Sequence, residues 1–228
     1  MQLNQILKKL KSLSNPKAVA GMARFGINPE KTYGISIPVL RKMAKEIGKN
    51  HNLALKLWDS GIHEAKILAS MIDEPEKVTK KQMDEWIKNF DSWDVCDQCC
   101  MNFFSKTPYS WEKAKKWTNR KKEFEKRAGF ALIACLAWYE REAHDKKFEQ
   151  FFPLIKKHAS DNRNFVKKAV NWSLRQIGKK NMNLNKIAIK TAKDISKINS
   201  KSAKWIASDA LRELTDKKVK KRFNKTAK

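Results

Sequence analysis

Residues 184–214 read LNKIAIKTAKDISKINSKSAKWIASDALREL. Leu184, Ile187, Ala188, Thr191, Ala192 and Ile195 recur at spacings of one, three and four, as do Ala203, Ile206, Ala207, Ala210, Leu211 and Leu214. Such spacing places each set on one stripe of an α-helix, because one turn takes 3.6 residues. Asn199-Ser200 lies between the stripes, and short polar side chains there favour the end of one helix and the start of the next. The stretch therefore reads as two helices joined by a tight connection. Each has one apolar face that needs a cover, so a pair of this kind calls for neighbours of the same kind.

The rest of the chain supplies them. Leu3, Ile6, Leu7 and Leu10 keep the same period, as do Leu40, Met43, Ala44 and Ile47, and no convincing period-two strand interrupts it. Breakers fall at Asn15-Pro16, Asn28-Pro29, Gly48, Ser60-Gly61, Asp73 to Pro75, Thr107-Pro108, Pro153 and Gly178. They leave segments of ordinary helix length, about a dozen in all. Helix pairs recurring roughly every 35–45 residues predict an all-α fold, an α-solenoid of HEAT-like or armadillo-like repeats. Ala128 to Trp138 (AGFALIACLAW) is apolar on every side and is expected in the middle of the stack, covered on both faces. Residues 1–216 are expected to form a single domain, with 217–228 a basic C-terminal tail. That tail, with Lys217, Lys218, Lys220, Lys221, Arg222, Lys225 and Lys228, reads either as a solvated end or as a non-specific phosphate contact.

Composition agrees and adds a partner. With 7 glycines and 6 prolines in 228 residues, the chain lacks the turn residues that a sandwich or barrel needs. Lys and Arg number 50 against 24 Asp and Glu, a net charge of +26. That surplus costs self-repulsion, which a polyanionic partner relieves, and nucleic acid is the first candidate. A lysine-rich composition chosen for solubility is the plain alternative, since the lysines are spread over the whole chain. No apolar run is long enough to span a membrane, and the first thirty residues lack the uninterrupted apolar core of a secretory signal. Cys96, Cys99, Cys100 and Cys135 suit no disulfide framework; they read as free thiols in a reducing cytoplasm. The three clustered cysteines have no second Cys/His pair at matching spacing, His51, His63, His144 and His158 form no i, i+4 pair, and no glycine-rich phosphate loop is present. Neither a metal nor a cofactor is expected.

Three constellations could carry chemistry. Ser92-Trp93-Asp94-Val95-Cys96-Asp97 opens a helix that Ser92 can cap and that runs on to Phe104, with Cys96, Cys99, Cys100 and Phe103 as its core stripe. Trp93 and Asp97 then share one face beside that stripe. Packing for the indole and a salt bridge for the acid would also account for them. Arg127 opens the apolar helix, near Lys121, Lys122 and Lys126; it can reach a phosphate or carboxylate bidentately, or make a structural ion pair. In Arg163 to Arg175, Val166, Ala169, Val170, Ser173 and Ile177 form the core stripe. Lys168, Trp172, Arg175 and Lys179 form a ridge beside it, either a nucleic-acid surface or a solvated basic face.

The order S-W-D-x-x-D (Ser92 to Asp97), K-R-A-x-F-A-L (Lys126 to Leu132) and V-K-K-A-V-x-W-x-L-R (Val166 to Arg175) resembles the AlkD family of DNA alkylation repair glycosylases. Tyr33-Gly34-Ile35-Ser36-Ile37-Pro38-x-Leu40-Arg41, and Leu57-Trp58 through Glu64-Ala65-Lys66, look like that family's opening repeats. The match runs from about residue 20 to about 215, nearly the whole chain. The resemblance implies a HEAT-like solenoid with a concave, cationic DNA-binding face. It implies hydrolysis of the N-glycosidic bond of cationic alkylpurines such as 3-methyladenine and 7-methylguanine in duplex DNA, without metal or cofactor, and base excision repair as the setting. By position, Trp93 and Trp172 match the pocket tryptophans, Asp97 the catalytic carboxylate and Arg127 the active-site arginine. Phe25 falls nearest the family's N-terminal tyrosine and lacks its hydroxyl. With Lys168, Arg175 and Lys179, Phe25 is expected to contact DNA. The expected protein is a cytoplasmic monomer (nucleoid-associated if prokaryotic) without membrane or obligate protein partners. Two other readings stay open: a non-catalytic branched-DNA-binding protein of the same fold, and a repeat scaffold that binds an acidic protein.

Overall fold

The computed structural model describes residues 2–226, and every element among them is helical. The chain divides into two compact units, Met1–Tyr109 and Ser110–Lys228. The first holds α1 (Leu3–Ser12), α2 (Pro16–Ala23), α3 (Ile37–Ile47), α4 (His51–Asp59), α5 (His63–Ile72), α6 (Lys80–Lys88) and α7 (Trp93–Asn102), then a 3₁₀ turn, Phe104–Lys106. The second holds α8 (Ser110–Trp117), α9 (Glu123–Tyr139), α10 (Asp145–Glu149), α11 (Phe152–Lys157), α12 (Asn164–Gly178), α13 (Met182–Ser196), α14 (Lys201–Leu214) and α15 (Lys217–Thr226). None of the helices among the described residues is long and apolar enough to cross a membrane. Residues 217–226 of the basic segment are thus helical, with Val219 and Phe223 buried; 227 and 228 lie outside the described residues.

The starts and stops follow local chemistry. The side chains of Asn15, Asn50, Thr79, Asn181 and Ser200 accept from the backbone N–H three residues on, capping α2, α4, α6, α13 and α14. The apolar stripes point inward: Leu184, Ala188, Ala192 and Ile195 on α13, and Ala203, Ile206, Ala207, Ala210 and Leu214 on α14, are buried. Residues 128–137 of α9 are buried all round, as their composition predicts, but the run does not stay covered to its end. Trp138 is 60% exposed.

Hydrogen bonds between helices record the repeat. In the second unit Arg127 meets Phe165, Asn171 meets Asp209 and Arg175 meets Glu213, each 38 residues apart; Lys180 meets Glu140, 40 apart. In the first unit, Tyr33 meets Glu64 and His63 meets Asp94, each 31 apart. Elements about one helix pair apart along the chain are therefore tied together, at separations of 38–40 residues in the second unit and 31 for these two bonds of the first. Close backbone approach tightens the packing. A Cβ on Gly129 would lie 2.4 Å from the Thr118 nitrogen, so α9 and α8 come together only where α9 has no side chain.

Candidate nucleic-acid interface

In the first unit the loop before α3 and the start of α7 are tied at three points. Trp93, the first residue of α7, donates its indole N–H to the Phe25 carbonyl at 3.1 Å. The Asn28 backbone N–H donates to Ser92 Oγ at 2.9 Å, and the Asn28 side chain donates to Asp91 at 3.0 Å. Ser92 does stand at the N-cap with extended backbone angles, yet its hydroxyl serves Asn28 and makes no capping bond. Asp94 instead accepts from Val95 N–H at 2.9 Å. The helix also stops sooner than expected, at Asn102, and a 3₁₀ turn follows. Cys96, Cys99, Cys100 and Phe103 form the buried stripe, and Trp93 and Asp97 are half-buried one turn apart beside it. Phe25 offers its carbonyl to Trp93 while its ring stands 73% exposed.

Buried Glu64 and the pair of buried His63 with half-buried Asp94 hold this corner, and sequence reasoning gave neither a role. Glu64 has no exposed surface, and its carboxylate accepts from the backbone N–H groups of Tyr33 at 2.9 Å, Gly34 at 2.6 Å and Ile35 at 3.2 Å. Gly34 itself has φ +77° and lies where a Cβ would meet the Asn15 carbonyl at 2.6 Å. The motif pair Tyr33-Gly34-Ile35 and Glu64 is thus one anchor. Next to it, buried His63 meets Asp94 at 2.9 Å. Burial pushes the His63 pKa down, but the hydrogen bond and charge of Asp94 outweigh it and raise the value above 6.5.

In the second unit, Arg127 is 5% exposed and its guanidinium donates to the Phe165 carbonyl at 2.7 Å. Glu123 accepts from the Phe165 N–H at 3.1 Å. Helix α9 therefore grips both polar groups of one residue in the first turn of α12, the helix that carries half-buried Trp172. Lys126, next along α9, pairs with Asp161 at 3.0 Å.

The ridge on α12 divides in two. Lys168 is exposed. Arg175 pairs with Glu213 and reaches Asp209 at 3.5 Å, while Lys179 pairs with Glu213 at 2.6 Å. Burial pushes the Glu213 carboxyl up, and Lys179 and Arg175 more than reverse this, holding it below its ordinary range. Two of the three cations thus carry an internal counter-charge. Asp209 and Glu213 are four residues apart on α14, a spacing that shows one acidic face in the sequence, though not which helix it meets.

Comparison with known proteins agrees with this architecture. A family model described as DNA alkylation repair enzyme matches residues 6–214. An uncharacterized protein of Listeria innocua is 24% identical over 201 residues, covering 86% of this chain and 87% of that protein. An uncharacterized protein of Listeria monocytogenes is 26% identical over 136 residues, 58% of this chain and 60% of that one. A solved structure, from a new family of proteins related to the HEAT-like repeat DNA glycosylases with affinity for branched DNA structures, superimposes with a TM-score of 0.78. It is 19% identical, and the match covers 94% of this chain and 96% of that one.

Proposed function

The chain belongs to the DNA alkylation repair enzyme family, and from that premise we propose that it is a DNA glycosylase that releases cationic alkylpurines from duplex DNA. The observation that carries the reading is the first turn of α7: Trp93 is fixed by its bond to the Phe25 carbonyl, with Asp97 half-buried one turn on.

A 3- or 7-alkylated purine already carries positive charge, so it leaves without a general acid. The barrier lies in the charge that builds on the deoxyribose as the N-glycosidic bond breaks, as in glycoside hydrolysis. A carboxylate held at the sugar in a partly dehydrated site attracts that charge, and Asp97 does this while orienting the water that attacks. Trp93 turns its ring to the emerging cation, an attraction of about 0.5–2 kcal/mol. In the second unit Trp172 offers a ring and Lys168 an exposed ammonium to duplex DNA. Arg127 is a positioning residue in this reading, because its bond to Phe165 fixes the start of the helix that bears Trp172. Phosphate contacts of this kind position a duplex without reading sequence, and the +26 charge supplies their field.

The test is base release. Asp97→Asn should abolish release of 3-methyladenine and 7-methylguanine from methylated duplex while leaving most DNA affinity; undiminished release would remove Asp97 from the reaction. One observation favours a second reading. Phe25 has no hydroxyl where the resembled family has one, and the solved relative is described by affinity for branched DNA. Tighter binding of a four-way junction than of linear duplex, with no base release from either, would make the chain a branched-DNA binder.

A further inference from the structure

Beside the first turn of α12, the second unit carries an open pocket of about 770 Å³ between the loop before α12 and the start of α14. Ser160, Asn162, Lys167, Ser202, Lys201 and Trp205 line it, with Asn199 and Ser200 at its edge. The lining contains two ammonium groups, hydroxyls, carboxamides and one indole, and no carboxylate. Asp161, in the same loop, has its charge taken by Arg163 at 2.6 Å and Lys126 at 3.0 Å, so it does not cancel the field of the pocket. Trp205 is 40% exposed, and the Lys167 ammonium stands 4.9 Å from its ring centroid. A half-exposed indole offers a face on which a base can stack, and cations beside it suit a nucleotide's phosphate.

The seam between α12 and α14 explains why the pocket is where it is. Along the seam Asn171 meets Asp209, and Arg175 and Lys179 meet Glu213. At the next position toward the helix starts the α14 residue is Trp205 instead of an acid. The pairing therefore changes from ion pair to cation–π, and Lys167 stands over the ring with no carboxylate paired to it among the described residues.

We propose that this pocket binds one unpaired nucleotide of a DNA strand, its phosphate on Lys167 and Lys201 and its base stacked on Trp205. The pocket is then a contact of the second unit for single-stranded DNA flanking the bound duplex. It rests on the nucleic-acid reading of the chain and is independent of the glycosylase reaction.

The experiment compares a blunt undamaged duplex of about 12 base pairs with the same duplex carrying a single-stranded tail of about five thymidines, by fluorescence anisotropy at fixed salt. The tailed duplex should bind about fivefold or more tightly, and Trp205→Ala should erase that advantage without changing blunt-duplex affinity. Trp205→Phe should keep most of it, which controls for folding. Lys167→Gln should weaken the tailed complex more than the blunt one. A tail of abasic sites that binds as well as thymidines would overturn the proposal, since charge alone would suffice. So would an advantage that survives Trp205→Ala, or wild-type protein indifferent to the tail. Blunt-duplex binding with no tail effect sinks only this proposal, whereas failure of base release in the presence of a tail effect sinks only the glycosylase.

Discussion

The indole N–H of Trp93 donates to the carbonyl of Phe25, 68 residues earlier, at 3.1 Å. The bond fixes an aromatic side chain at the start of α7 through the main chain of a residue whose own ring is exposed. Backbone and side chain of Phe25 therefore do different work. Trp93→Phe removes the donor and should cost about 0.5–1.5 kcal/mol in urea unfolding. Phe25→Ala keeps the carbonyl and should stay within about 0.5 kcal/mol of wild type, while weakening binding to DNA. Equal stability losses for the two variants would contradict this division.

Glu64 anchors the loop before α3 through three backbone N–H groups. Glu64→Ala leaves three N–H groups in a partly buried loop without their acceptor. The expected loss is about 2–4 kcal/mol, read from the urea midpoint. A loss below about 0.5 kcal/mol would mean that the loop finds other acceptors.

His63 makes stability depend on pH. Its folded pKa is raised, so the folded state favours the protonated ring. That contribution is complete below the ordinary value of 6.5 and is lost as pH rises through the higher folded value. Urea midpoints measured from about pH 5.5 to about 8.5 should fall over the upper part of that range for wild type. With Asp94→Asn the burial of His63 is no longer offset, and this fall should disappear. Parallel curves for the two proteins would argue against the pair.

Glu213 restrains two of the cations expected to meet DNA. Glu213→Gln should free Lys179 and loosen Arg175, which keeps Asp209 at 3.5 Å; it should raise affinity for duplex at low salt and steepen the plot of log affinity against log salt by up to about 1.8. An unchanged slope would mean that neither cation reaches a phosphate even when released.

The helices, their stripes and most of their boundaries could be read from the sequence, because the 3.6-residue period, the Asn, Ser and Thr caps and the breakers act over a few residues. The exceptions show the limit. Ser92 looked like a cap, and only the loop folded over it diverts its hydroxyl to Asn28. Trp138 closes a run apolar on every side, yet is exposed because the helix outlasts its cover.

The site divides in the same way. Residue types and spacing along one helix, such as Trp93 with Asp97 or Lys168 with Trp172, follow from the chain alone, since a helix fixes which positions share a face. What each side chain meets does not, because its partner arrives from 31 to 68 residues away in another element. That Glu64 grips the Tyr33 loop, that Asp94 charges His63, and that Glu213 takes up Arg175 and Lys179 depends on how successive repeats are rotated and offset as they stack. Helical period is a local property of a sequence, whereas the pairing of charges across repeats is settled only when the faces pack.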